Sequence, residues 1–122
     1  AYKLPDPFHA RHDAQGQQNS EQAAATVRLL SAFSNPLRLR ILQLLLTDDS
    51  CVSDFVEALG CEQPKVSQHL AVLREAGLLR CQVEGRRRCY SLRSPDRVRA
   101  LLRAAAELAG PGGSAVERCN EV

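Results

Sequence analysis

Two groups of residues in this 122-residue sequence are of types that do chemistry. The first is the five cysteines, Cys51, Cys61, Cys81, Cys89 and Cys119, whose thiolates ligate soft ions and can be oxidised. The second is polar and basic: Gln63, Lys65, Ser67 and Gln68 within QPKVSQHLAVLREA, and Arg86, Arg87 and Arg88 within EGRRRCYSL. Short polar side chains near a helix N-terminus, with cations at their margin, suit the major groove of a DNA duplex. Gln68 can bridge the N6 and N7 edge of an adenine, Ser67 can donate or accept, and Lys65 can reach a guanine edge or a phosphate. Gln63 stands where it could cap the helix or touch the DNA backbone. Three successive arginines at a loop tip can grip phosphates or enter a minor groove. Arg38 and Arg40, on an earlier helix, are further candidates. His69 lies beside the apolar stripe of its helix, at the edge of any reading surface, where a packed histidine is the simpler reading.

The formal net charge is only +2, but it is unevenly placed. Between Gln63 and Arg103 ten basic residues stand against three acidic ones, an excess that fits a phosphate-facing surface or, equally, a solvated charged face.

The elements that must position these groups follow from apolar spacing and from proline and glycine. Residues 1–19 are polar, contain Pro5 and Pro7, and read as a flexible arm. A folded domain is expected over 20–109 and a flexible tail over 110–122. Ala23, Val27 and Leu30 recur at helical spacing, and Asn35-Pro36 reads as a cap followed by proline at the first position of a second helix. A short helix carrying Val52, Phe55, Val56 and Leu59 ends at Gly60, and Gln63-Pro64 opens the next. Its core stripe is Val66, Leu70 and Leu73, with Pro64, Lys65, Gln68, Val72 and Glu75 opposite. Leu78–Val83 and Arg88–Leu92 flank Glu84-Gly85-Arg86 as a hairpin. A last helix starts at Ser94-Pro95 and carries Val98, Leu101, Leu102, Ala105 and Leu108. The class is mainly α with a small β-hairpin, in helix-turn-helix order with a hairpin wing.

The hairpin places two thiols. A three-residue loop sets Cys81 directly opposite Cys89, where Cβ atoms about 4.5–5.5 Å apart let two thiolates share one soft ion. A two-residue loop sets Cys81 opposite Tyr90 instead. Cys51 is another candidate ligand, and Cys119 could supply a third thiolate from either subunit of a dimer. His9 and His12 are possible ligands in the arm.

A chain of this length builds one modest core. No apolar run is long enough to span a bilayer, the N-terminus has no apolar signal core, and the odd cysteine count lacks a disulfide-framework spacing, so a cytoplasmic protein with reduced thiols is expected. No phosphate loop, paired acid–base carboxylates or nucleophile–histidine set is evident, and no enzyme is expected.

NPLRLRIL, QPKVSQHLAVLREAGLL and EGRRRCYSL, in that order over about 31–108, resemble the ArsR/SmtB family of metal- and metalloid-responsive bacterial repressors. The resemblance implies a winged helix-turn-helix homodimer, joined through its first and last helices, that binds an inverted-repeat operator in double-stranded DNA and releases it when an inducer binds. Arsenite- and soft-metal-sensing members carry CVCDLC before the reading helix. CVSDFV here keeps Cys51 but has Ser53 and Val56 at the other two places. Of the zinc site on the family's last helix, Asp96 matches one ligand while Val98, Ala109 and Gly112 occupy the rest, so that site is not expected. A thiophilic ion such as arsenite, cadmium, lead or zinc, bound by cysteine thiolates, is the expected inducer. A cysteine pair sensing oxidants or reactive sulfur is the nearest alternative, and a protein-interaction module without DNA binding is the reading from another class.

Overall fold

The computed structural model describes residues 14–111. The elements in chain order are α1 (Ala14–Phe33), α2 (Pro36–Leu45), β1 (Ser50–Cys51), α3 (Val52–Leu59), α4 (Gln63–Glu75), β2 (Leu79–Glu84), β3 (Arg87–Leu92) and α5 (Pro95–Ala109). The chain forms two compact units, Ala1–Ser31, which holds most of α1, and Ala32–Val122, which holds the remaining elements. Helix α1 starts at Ala14, ahead of the expected Ser20. The added segment, AQGQQN, carries no apolar period for the eye to catch, but alanine and glutamine are good helix formers in their own right.

Polar caps set the helix boundaries in the second unit. The Asn35 side chain accepts hydrogen bonds from the Leu37 and Arg38 amides at 2.9 and 3.0 Å, satisfying two amides that have no intrahelical carbonyl. Pro36 follows at the start of α2, where its missing N–H is no loss. The Asn35→Ala variant is expected to lose about 1 kcal/mol, visible as a lower urea midpoint with an unchanged m-value. At the other end of the motif, Gly60 ends α3 with φ +68°, a left-handed conformation that disfavours any side chain.

One core runs beneath these elements. Leu37, Ile41 and Leu42 of α2, Phe55 of α3, and Val66, Leu70 and Leu73 of α4 are all fully buried. The expected α4 stripe is therefore the packed one. Residues 60–62 alone connect α3 to α4, so the two helices form the helix-turn-helix pair, with α2 and β2 also packed on α4.

The sheet differs from the expected hairpin in two ways. It has three antiparallel strands, in the order β1-β3-β2, because the dipeptide Ser50–Cys51 pairs with β3. The wing loop is also one residue shorter than the three-residue version. Glu84 pairs with Arg87, leaving Gly85-Arg86 as a two-residue turn, and Gly85 takes φ +63°, the positive value that tight hairpins need at this position. The strand register consequently pairs Cys81 with Tyr90 and Gln82 with Cys89. Cys81 does not face Cys89; it is on the other face of the sheet.

Candidate nucleic-acid interface

Positions 63, 67, 71 and 74 recur on one side of α4, about a quarter-turn round from the core stripe. Gln63, Ser67, Ala71 and Arg74 there line a cleft of about 770 Å³, whose far wall is Arg86, Arg87 and Arg88 of the wing. Cys51, Val52 and Ser53 at the entry to α3 and Tyr90 of β3 complete the lining with Glu75. The three arginines are exposed. The cleft therefore places polar groups at the start of a helix beside a cationic ribbon, which is the arrangement that lets a helix enter a groove while a wing holds the backbone.

The expected residues divide between this cleft and other surfaces. Gln63, Ser67, Arg86, Arg87 and Arg88 share the cleft. Gln68 is exposed and Lys65 half-buried, on the side of α4 away from the core stripe, so a duplex lying along α4 would meet them beyond the cleft's edge. Arg74 was missed as a cleft residue; its spacing from Gln63 and Ser67 was the available signal.

Arg38 and His69 are engaged with each other. The Arg38 guanidinium donates from Nε to the Ala32 carbonyl at 2.8 Å and stands 3.2 Å from His69 Nδ1 through a terminal nitrogen. Nδ1 facing a guanidinium acts as an acceptor, which puts the ring proton on Nε2. Among the described residues Nε2 itself is buried without a hydrogen-bond partner. Burial, then the charges of Arg38 and Lys65, hold the His69 pKa below its ordinary 6.5. The unfolded chain therefore takes up the proton first as pH falls, and folding stability declines downward from about pH 6.5 until the folded ring also protonates. Melting temperatures measured between about pH 7.5 and 5.5 should fall in the lower half of that range, and His69→Gln should flatten the fall.

The cysteines are also divided. Cys51 of β1 stands directly opposite Cys89 of β3, and their sulfurs are joined in a disulfide with Cα atoms 3.9 Å apart. Cys81 has a free thiol and shares a sheet face with its partner Tyr90. Burial, then Cys81, raise the Tyr90 pKa above its ordinary 10.0, with Arg88 and Arg74 pulling the other way, so its hydroxyl is neutral at physiological pH. Among the described residues no three His, Cys, Asp or Glu side chains are grouped to hold a metal ion. Asp96 faces solvent and pairs with Arg99 at 3.2 Å. Cys119, His9 and His12 lie outside the described residues.

Comparison with known proteins places this arrangement. Residues 35–80, which run from the α2 cap through α4 into β2, match the bacterial regulatory protein, arsR family. The probable mercury resistance operon repressor of Streptomyces lividans is 33% identical over 97 residues, 80% of this chain and 77% of that protein. The chain belongs to the ArsR/SmtB family. It is a DNA-binding transcriptional regulator with the winged helix-turn-helix fold. Two solved structures are similar across the domain. NolR from Sinorhizobium fredii has a TM-score of 0.67 at 33% identity, covering 78% of this chain and 94% of that one. The homodimeric winged helix-turn-helix DNA-binding domain of a possible ArsR-family regulator from Mycobacterium bovis has a TM-score of 0.69 at 26% identity, covering 83% and 92%. Among the described residues no helix is long and apolar enough to cross a membrane.

Proposed function

We propose that this ArsR/SmtB regulator is a homodimeric repressor that binds an inverted-repeat operator and is released by a thiophilic metal or metalloid ion held by cysteine thiolates. The observation that carries the DNA half of this reading is the cleft in which Gln63, Ser67 and Arg74 of α4 face Arg86, Arg87 and Arg88 of the wing. Gln63, Ser67, Gln68 and Lys65 read and position, and the wing arginines supply the counterion-releasing contacts.

Two features support the rest. Helix α5 buries only Val98; Leu101 and Leu102 are half-covered and Leu108 is 91% exposed, an apolar face that a second subunit would cover. Helix α1 carries its own apolar series through Ala23, Val27 and Leu30. The inducer half is supported by the cysteine pair at the wing root, Cys51 and Cys89, which this structure holds as a disulfide rather than as the expected reduced thiols and which supplies two thiolates on reduction, and by the name of the Streptomyces lividans relative, a probable mercury resistance operon repressor.

The test is titration of reduced protein onto a short palindromic duplex over a range of salt, followed by mercuric, cadmium, lead, zinc and arsenite ions. Steeply salt-dependent binding and release by at least one thiophilic ion are expected. Absence of any affinity at low salt would end the repressor reading. Release by peroxide alone, with every ion ignored, would replace the metal by oxidation of a cysteine pair.

A further inference from the structure

We propose that Cys51 and Cys89, once a low-molecular-weight thiol has reduced their disulfide (RS–SR + 2 R′SH → 2 RSH + R′S–SR′), form a two-thiolate site for a single soft dication that accepts two sulfur ligands in line, with mercuric ion as its type. The inference rests on the repressor reading only for its effect on DNA, and on the strand register for the site itself.

Cys51 and Cys89 are direct partners on adjacent antiparallel strands, so both side chains leave the sheet on the same face; the disulfide holds their Cα atoms 3.9 Å apart, and its reduction lets the pair relax to the ordinary cross-strand Cβ separation of about 4.5–5.5 Å. With a metal–sulfur bond of about 2.3 Å, two sulfurs flanking an ion in line stand about 4.6 Å apart. The existing bond between these sulfurs shows that both side chains adopt rotamers that point at each other. Cys81 belongs to the opposite face, paired with Tyr90, and takes no part.

Coordination number and charge select the ion. No third His, Cys, Asp or Glu joins the pair among the described residues, and the nearby Asp54 carboxylate is already accepting the Cys51 amide at 2.8 Å. Three-thiolate centres, such as those arsenite favours, are therefore not completed by these residues. Cys51 is 8% exposed, where a residual charge would be costly. Two thiols and a dication react as M²⁺ + 2 RSH → M(SR)₂ + 2 H⁺, leaving a neutral complex, whereas a monovalent ion would leave a net negative one.

The site also has a route to the output. Cys51 is the residue from which α3 springs, and α3 packs on α4. Cys89 directly follows Arg87 and Arg88 in β3. An ion joining the two ties the helix-turn-helix to the wing strand and so fixes the separation between the two walls of the cleft, both of which a duplex must fit.

The experiment uses the full chain, reduced, desalted without oxygen, and loaded with mercuric ion in the presence of excess glutathione. A dithiol chelate survives such competition where single thiols do not, because its second bond forms within the molecule. In a Cys61→Ser background, which removes a thiol that is also disulfide-bonded in this structure, one ion per chain should be retained, with a mercury–thiolate absorption band. Cys51→Ser and Cys89→Ser should each lower retention by roughly a hundredfold or more, and Cys81→Ser should leave it unchanged. Serine is a favoured residue at a helix N-cap, so Cys51→Ser keeps the start of α3, and circular dichroism verifies folding of each variant. Retention unchanged in both Cys51→Ser and Cys89→Ser, or lost in Cys81→Ser alone, overturns the site. Duplex binding is scored separately. A chain that holds the ion as described but never binds DNA keeps the site and loses the repressor reading, whereas mercuric release of DNA that persists in both serine variants keeps the repressor and overturns this site as its input.

Discussion

Replacing Arg86, Arg87 and Arg88 together with alanine is expected to weaken duplex binding by two to three orders of magnitude at about 0.1 M salt. All three side chains are exposed and line one wall of the cleft, and no ion pair involving them occurs among the described residues. Each arginine that neutralises a phosphate releases condensed counterions and adds about 0.9 to the slope of log K against log salt. Losing three should flatten that slope by about 2.7 per chain. Because such contacts carry no sequence information, the loss should be nearly equal for an operator and for a random duplex. Fluorescence anisotropy at several salt concentrations measures slope and affinity together. A slope unchanged by the triple substitution would remove the wing from the interface. Gln68→Ala should behave in the opposite way, costing about 1–3 kcal/mol on the cognate sequence and little on others.

The two arms of this contrast were unequally legible in the sequence. Local steric rules wrote the boundaries: Asn35-Pro36 could only open a helix comfortably, and Gly60 supplied the left-handed exit from α3. The α4 stripe Val66, Leu70 and Leu73 followed from period alone and is fully buried. What depended on pairing between distant segments was less readable. Glycine at position 85 permits hairpin loops of either two or three residues, and the choice rests on whether Glu84 pairs with Arg87, as it does. That one-residue difference moves Cys81 to the other face of the sheet. The strand Ser50–Cys51 is too short to leave a pattern, yet it brings Cys51 to Cys89 across 38 residues of chain. Likewise, helical spacing puts Ala71 and Arg74 on the side of α4 that carries Gln63 and Ser67, but that the wing faces this side and makes it a cleft is a matter of packing that the spacing does not contain.

Phe55 shows how closely the proposed DNA-binding cleft depends on the core behind it. It is the bulkiest fully buried side chain, 1% exposed, on the helix that supports α4. Phe55→Ala should destabilise the fold by about 3–5 kcal/mol, combining lost transfer energy with a cavity that α2, α3 and α4 cannot fully close. Against a total of about 5–15 kcal/mol for a typical domain, the loss is large enough to lower the melting temperature by more than about 12 °C. Val83→Ala provides the comparison: Val83 is equally apolar but 66% exposed in the wing, and its truncation should stay within about 0.5 kcal/mol. Duplex affinity separates the two consequences of a damaged core. If Phe55 only adds stability, the variant at low temperature, fully folded by circular dichroism, binds as the parent does. If it also sets the seating of α4, affinity falls even in the folded protein, since Ser67 and Gln68 then meet the groove from a shifted helix and hydrogen bonds to base edges tolerate little displacement. The seating role is the expected result, because α4 reaches the rest of the fold chiefly through α3, α2 and β2, and Phe55 is the bulkiest side chain that α3 buries.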